Sequence, residues 1–475
     1  MGEMFTWRCK AKFVAVVMVC IALSCVDASA ESLESALVYA YQNNPQLNGQ
    51  RAAVRATDEN VPQALSGYRP KVSVTGNGGI QSLSSTIRNV GSTIPLNAPA
   101  TYFTQSGENA PYGAGTTVTQ TLYDGFQTAN HTRQAESQVL AARQTLRAAE
   151  QTVLANAATA YMNLLYATAV LDLQRHNVEV LQKQREQTQQ RLTAGNVTET
   201  DVFQADSHLA AARIQQFAAE ANYDTARAVY RQAIGLEPGK LSAASPVDRF
   251  LPGTQAAAIA LGTVENPLVT AAQYNADAAL QQIKVAEGTL LPTVSIEGNV
   301  SQNYMSNLYT INSFSGSLLG QIKVPIYQGG AEYSGIRQAK ETYGQRRLDV
   351  DLTRDQVRMQ VLQFWAQLQA SKRSLETAVK QVKATEAALN GVSEEARLGQ
   401  RTTLDVLNAE QELVNGRGNL LAAQRDRVIN SFNLLAAIGR LSPQVLGLQV
   451  PTYDSRVHYQ QVRDAWFGVR TLDGR

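Results

Sequence analysis

Gly195-Asn-Val-Thr-Glu-Thr-Asp201-Val-Phe-Gln-Ala205 lies over Gly399-Gln-Arg-Thr-Thr-Leu-Asp405-Val-Leu-Asn-Ala409, with Gly, Thr, Asp, Val and Ala in register. Each copy reads as a helix stop followed by a helix start. The glycine takes the left-handed conformation that ends a helix, and Thr198, Thr200 or Asp201 (Thr402, Thr403 or Asp405 in the second copy) supplies the oxygen that caps the next. The chain therefore makes the same helical hairpin twice. The offset of about 204 residues also maps Tyr123 onto Tyr327, Gly125 onto Gly329 and Ile234-Gly235 onto Ile438-Gly439. Upstream the offset is about 222, pairing Asn44-Pro45 with Asn266-Pro267 and Tyr68-Arg-Pro70-Lys-Val-Ser-Val74 with Leu290-Leu-Pro292-Thr-Val-Ser-Ile296. One insertion of roughly 18 residues between Pro70 and Tyr123 reconciles the two offsets. The sequence is an internal duplication, with repeat 1 over 31–250, repeat 2 over 251–440 and a tail over 441–475.

Ahead of the repeats, residues 1–30 carry Arg8, Lys10 and Lys12, an apolar run from Phe13 to Leu23, and Ala28-Ser-Ala30, the pattern of a secretory signal peptide cut before Glu31. All three cysteines (Cys9, Cys20, Cys25) fall inside it. The mature chain is then expected to have no disulfide, zinc–thiolate site or thiol nucleophile. Lipidation at Cys25 would need Leu followed by two small residues before it, and Ala22-Leu23-Ser24 has the wrong order. With 42 Lys+Arg against 40 Asp+Glu and no basic stripe, nucleic acid is not an expected partner. After the leader no stretch approaches the roughly 20 apolar residues of a membrane helix, so any membrane passage must use strands.

Each repeat opens with helical segments, Leu33 to Val61 and Asn266 to Gly288, which the Asn-Pro dipeptides break or start. After Pro70 or Pro292 the period changes to two. Val294, Ile296, Gly298 and Val300 alternate with Ser295, Glu297 and Asn299, and Phe314, Leu318, Ile322 and Val324 alternate with Ser313, Ser317 and Lys323. Such strands suit a bilayer, one face apolar and one polar, and equally suit the edge of a soluble sandwich. The corresponding pair in repeat 1 is expected over Lys71–Ile80 and Gly113–Leu122, the whole over about 71–122, with Gln81–Tyr112 a long polar loop; in repeat 2 the pair covers about 293–325.

Helices of unusual length follow. Phe126 to Ala194 holds no Gly or Pro, which predicts a rod of roughly 100 Å. Its seam is heptad-like but small: Val139, Leu146, Val153, Ala160 and Ala167 interleave with Ala135, Ala142, Ala149, Asn156 and Asn163. Asn196 to Ile234 returns, giving a hairpin over about 126–235. Repeat 2 repeats this over about 331–438, where the runs Gln345–Asn390 and Gln400–Ile438 behave likewise apart from Gly391, Gly416 and Gly418, at which bends are expected. The tail, with Pro443, Pro451, His458 and Trp466, reads as irregular.

Catalytic chemistry is hard to assemble from these residues. His131, His176, His208 and His458 show no ligand spacing, which fits surface or packing roles, and no cofactor site is expected. Gly330-Ala-Glu-Tyr-Ser-Gly335-Ile-Arg337 lacks the Lys-Ser/Thr of a phosphate loop and reads as a strand-to-helix breaker. No nucleophile–base–orienter set exists, so an enzyme is not expected. Arg401, Asp405 and Asn408 share one helix start; they read either as a solvated cap with a surface ion pair or as a gate.

The duplication, strand pairs, rod helices and the phrase Leu398-Gly-Gln-Arg401-Thr-Thr-Leu-Asp405-Val-Leu together resemble the TolC family of outer-membrane channel proteins, over essentially the whole mature chain. The resemblance implies an α+β, mainly α, fold: four transmembrane strands per chain in a 12-stranded trimeric barrel, continued by a coiled-coil α-barrel in the periplasm. Four strands alone cannot close a barrel, which needs about eight. It further implies a homotrimer in outer-membrane lipid, a periplasmic adaptor (membrane fusion) protein and an inner-membrane pump of RND or ABC type. In the family an arginine matching Arg401 locks the periplasmic mouth through a pair matching Thr200-Asp201, and mouth-lining aspartates match Asp405 and Asn408. Asn408 is thus a departure, as is Ala396, where the family places a lock tyrosine. The adaptor-docking tips correspond to Ala194-Gly195-Asn196 and Leu398-Gly399-Gln400. The competing reading is a coiled-coil structural or adhesin-type surface protein, which gives no reason for matching strand pairs before each hairpin. A periplasmic adaptor would have one hairpin rather than two.

Overall fold

Twice the chain runs short helices, paired strands and a long helical hairpin. The computed structural model describes residues 31–89 and 101–471. The expected leader, with its three cysteines and cleavage site, and residues 90–100 of the expected loop lie outside the described residues.

The described elements are α1 (Leu33–Asn43), α2 (Pro45–Asp58), α3 (Asn60–Leu65), β1 (Lys71–Gly78), β2 (Gln81–Asn89), β3 (Thr101–Asn109), β4 (Tyr112–Tyr123), α4 (Gln127–Thr193) and α5 (Glu199–Ile234). There follow α6 (Gln255–Glu265), α7 (Pro267–Gly288), β5 (Thr293–Tyr304), β6 (Asn312–Lys323), α8 (Ala331–Arg397), α9 (Thr403–Ile438), α10 (Pro443–Leu446) and α11 (Ser455–Val462). The hairpins match residue for residue: α4 and α8 are both 67 residues long, α5 and α9 both 36. At 1.5 Å per residue each long arm measures roughly 100 Å.

Several sequence expectations are corrected. Gln81–Tyr112 is not a plain loop, because β2 and β3 pair in it as an antiparallel ribbon with Ile87 opposite Phe103 and Thr86 Oγ1 2.9 Å from Thr104 Oγ1. The β-branched and aromatic residues Thr86, Ile87, Tyr102 and Phe103 override the Ser/Asn/Gly background there. Helix α8 starts at Ala331, where the hairpin is expected to begin, but Gly335, Gly344, Gly391, Gly416 and Gly418 all stay helical, without the bends expected at the last three. A helical glycine costs about 1 kcal/mol relative to alanine, which a helix of this length absorbs. The breaker lies just upstream, where Gly329 and Gly330 have φ of +76° and +86°. Helix α6 lies outside the helical segments the sequence predicts, and the tail, expected to be irregular, holds α10 and α11.

Two compact units each draw on both repeats. One comprises the described residues up to Arg51 with Thr145–Val269 and Arg354–Tyr453. Its core gathers Ala258 of α6, Val269 of α7, Val357, Val361 and Leu368 of α8, and Leu434, Ala437 and Ile438 of α9. Here the duplicated dipeptides find their physical meaning. Asn44 Nδ2 donates to Ala233 O at 3.1 Å and Asn266 Nδ2 to Ala437 O at 2.8 Å, each side-chain carbonyl also accepting from the first turn of the helix that follows. Each Asn thus caps its own helix and ties it to the final turn of its hairpin.

The other unit comprises Ala52–Gln144, Thr270–Thr353 and the described residues from Asp454. It holds a four-stranded antiparallel sheet in the order β1-β4-β5-β6. The repeats meet in its centre, where β4 pairs with β5 and Tyr112 stacks on Tyr304 with ring centroids 4.9 Å apart. Register sorts the two faces. Val72, Val118, Gly298 and Leu318 align across the sheet on one side; Ser73, Thr117, Asn299 and Ser317 align on the other, where Asn299 Nδ2 reaches Thr117 Oγ1 at 3.2 Å. The apolar face is open: Val74 is 75% and Leu318 78% exposed. Beside the sheet, α11 packs Tyr459 against Val61, Ala135 and Val139, and His458 Nδ1 lies 3.1 Å from the buried Asp58 carboxylate.

Candidate functional site

Both hairpin tips lie in the first unit and are built identically. At the first, Asn196 N donates to Arg191 O and Gly195 N to Leu192 O, both at 2.9 Å. At the second, Gln400 N donates to Glu395 O at 2.9 Å and Gly399 N to Ala396 O at 3.1 Å. This pair of bonds is the Schellman closure, which demands a left-handed residue; Gly195 has φ +76° and Gly399 +80°.

The next helix begins four residues beyond each glycine, its capping threonine three beyond. Thr198 donates its N–H and its hydroxyl to Asp201 Oδ2, both at 2.8 Å. Thr402 does the same to Asp405 Oδ2 at 2.9 and 2.8 Å, and Asp405 N returns a 3.2 Å bond to Thr402 Oγ1. Of the candidates left open by sequence, Thr198 and Thr402 are the caps. Donation from the Thr402 amide and hydroxyl, with Arg401 nearby, holds the Asp405 carboxyl below its ordinary pKa. Thr198 does the same for Asp201, with Arg191 adding attraction.

Where the tips differ is Arg401, whose counterpart is Val197. Its Nε donates to Glu395 Oε2 at 3.0 Å, across the turn, and this bond raises the guanidinium pKa further. Within the chain the structure therefore gives Arg401 to Glu395, not to the Thr200-Asp201 pair. Glu395 went unrecognised in the sequence because six residues separate it from Arg401, a spacing that only the reversal at Gly399 brings together. Thr200 and Asn408 are exposed, as are Ala194, Gly195, Asn196, Leu398, Gly399 and Gln400. Beneath the tips Leu407 is buried among Leu181, Ala205, Leu209 and Ala212, so the second hairpin's first turn is anchored to the first hairpin. Farther along, Arg185 Nε meets Asp206 Oδ1 at 2.9 Å and Arg417 Nη2 meets Glu386 Oε1 at 2.8 Å, bonding the arms of each hairpin together.

Glu410 also escaped sequence reasoning. It lines a concavity of about 370 Å³ with Asn177, Leu413 and Arg417; one of its carboxylate oxygens is buried without a hydrogen-bond partner, and burial raises its pKa. Among the described residues no cluster of three metal-ligating side chains occurs, and no helix is long and apolar enough to cross a membrane.

The sequence family described as outer membrane efflux protein matches residues 36–236 and 260–440. Among curated relatives, the outer membrane efflux protein BepC of Brucella suis is 38% identical over 477 residues, covering 98% of each chain. The outer membrane protein TolC of Escherichia coli is 27% identical over 432 residues, covering 88% of this chain and 84% of that one. Among solved structures, a membrane protein from Pseudomonas aeruginosa superposes with a TM-score of 0.73 at 20% identity, over 86% of this chain and 90% of the other, which speaks for the shared fold.

Proposed function

The chain belongs to the outer membrane efflux protein family, and from that premise we propose that three copies form a passive exit duct across the outer membrane, the last component of a tripartite efflux pump or type I secretion machine. The observation that carries this is the sheet. One face is apolar and open while the other is lined by Ser, Thr and Asn, and among the described residues the outer edges of β1 and β6 have no partner. An open edge invites pairing, and in lipid an unpaired edge is intolerable. Joining β6 of one copy to β1 of the next satisfies both edges, turns the apolar face to lipid and encloses the polar face around water.

In this reading the helical hairpins continue the duct into the periplasm and the tips form its regulated mouth. The exposed turns Ala194-Gly195-Asn196 and Leu398-Gly399-Gln400 are the docking surface for a periplasmic adaptor, which couples the duct to an inner-membrane pump of RND or ABC type. Energy and cargo selection lie with that pump; the role here is transport, not catalysis. The gate is Arg401 with Asp405 and Asn408, closing against Thr200-Asp201 of an adjoining hairpin. Charged hydrogen bonds suit a latch because water or a partner can replace them, whereas a buried apolar seam is hard to release on demand. Glu395 gives the latch a second position: Arg401 can rest on Glu395 when it leaves Thr200-Asp201.

Single-channel recording in a planar bilayer tests the gate. Arg401→Ser trimers are expected to conduct several-fold more than wild type. Unchanged conductance in folded Arg401→Ser trimers would eliminate Arg401 as the latch.

A further inference from the structure

We infer that the C-terminal segment Trp466-Phe467-Gly468-Val469 is a lipid anchor that seats the protein in the periplasmic leaflet of the outer membrane. This rests on the outer-membrane reading above and adds to it a contact made outside the strands. After α11 the chain turns onto the end of the sheet where β1 begins: Arg69 Nη1 donates to Ala465 O at 2.6 Å, and its guanidinium stacks 4.9 Å from the centre of the Trp466 ring. Arg69 lies two residues before the first residue of β1. The side of the sheet is fixed as well. Gln120, which shares the apolar face with Val72 and Ile296, donates to Tyr68 O at 3.0 Å, so the segment carrying Arg69 runs along the face turned to lipid.

The segment thus lies at the helical end of the apolar band, where a strand-built membrane protein carries its aromatic girdle. Other aromatic residues border the same end: Tyr68 precedes β1, Tyr123 closes β4, and Phe126 meets Tyr123 edge-to-face at 5.4 Å. Trp466 is 62% exposed, Phe467 94% and Val469 fully. Nothing in water rewards that exposure, whereas an interface takes up aromatic rings at headgroup depth and attracts the adjacent Arg69 and Arg470 through anionic phosphates. The docked α11, with His458 on Asp58 and Val462 buried, holds the segment in place.

Tryptophan fluorescence in the intact, membrane-reconstituted protein tests this. The chain has three tryptophans, of which Trp7 lies in the expected leader. In a Trp365→Phe variant Trp466 reports alone for the mature chain. Lipids brominated high on the acyl chain should quench its emission, as expected of a ring at the interface. A control variant with Trp365→Phe, Trp466→Phe and Leu318→Trp reports on the sheet. If the sheet probe is quenched and Trp466 is not, whether iodide in the water reaches it or a neighbouring chain covers it, the anchor is refuted and the membrane reading stands. If neither probe is quenched, the membrane reading itself falls and the anchor with it.

Discussion

Gly399 and Gly439 share a left-handed backbone, with φ of +80° and +91°, yet substitution should act on them differently. A Cβ on Gly399 would meet nothing within 4 Å, so alanine there adds only left-handed strain, about 1–2 kcal/mol. On Gly439 the same atom would lie 2.6 Å from Asn266 Cα and 2.9 Å from Glu265 O. Backbone cannot yield there without breaking the Asn266 cap. Thermal melts of the assembled protein should therefore show Gly439→Ala destabilised well beyond Gly399→Ala; equal melting points would deny the close approach. Gly399→Trp should abolish export in cells while leaving assemblies intact, since a side chain there meets open space within the chain and, on the proposed reading, would obstruct the docking partner. Normal export by that variant would remove the tip from the docking surface.

The clamp between α6 and the end of α9 carries a pH dependence. Arg440 grips Glu265 with two bonds, Nε to Oε2 at 2.6 Å and Nη2 to Oε1 at 2.7 Å, and so holds the Glu265 carboxyl below its ordinary pKa. A depressed folded pKa means stabilisation that is complete above the unfolded value, about 4.3, and lost as pH falls through the folded one. The capping aspartates Asp201 and Asp405 act in the same direction. The contribution of these groups to the melting temperature should accordingly be flat from neutrality to about pH 5 and fall below it, and is read as the difference between wild type and the Glu265 variant. Glu265→Gln should lower the neutral plateau and shrink the acid loss; an unchanged acid limb would show that the clamp contributes nothing. At this scale sequence and structure agree where local chemistry decides. The breaker-free runs gave the rods, the glycine–threonine phrases gave the turns, and strict alternation gave β5 and β6. The β2–β3 ribbon is not legible in the sequence because its pairing is cross-strand, with Thr86 finding Thr104 only after the chain reverses. Glu395 is not legible as a neighbour of Arg401 for a related reason: the turn geometry, not the spacing, brings the two together within the chain. The docked tail was invisible because its anchors, Asp58 and Arg69, lie some 400 residues away, with no periodicity to announce them.

Across the whole molecule, the duplication supplies two equivalent hairpins and two strand pairs, and the strand pairs merge into one sheet through β4 and β5. Merging satisfies the inner edges and leaves β1 and β6 open, a defect that further copies of the chain must repair. About eight strands are the least that close a barrel, so the four-stranded sheet described for one chain cannot form the duct alone. The most direct measurement is the mass of the particle extracted from the outer membrane in mild detergent, read by native mass spectrometry. Three chains per particle, with no folded monomer surviving dilution, is the expected result. A folded monomer as the principal species would contradict the claim that the barrel is built between chains.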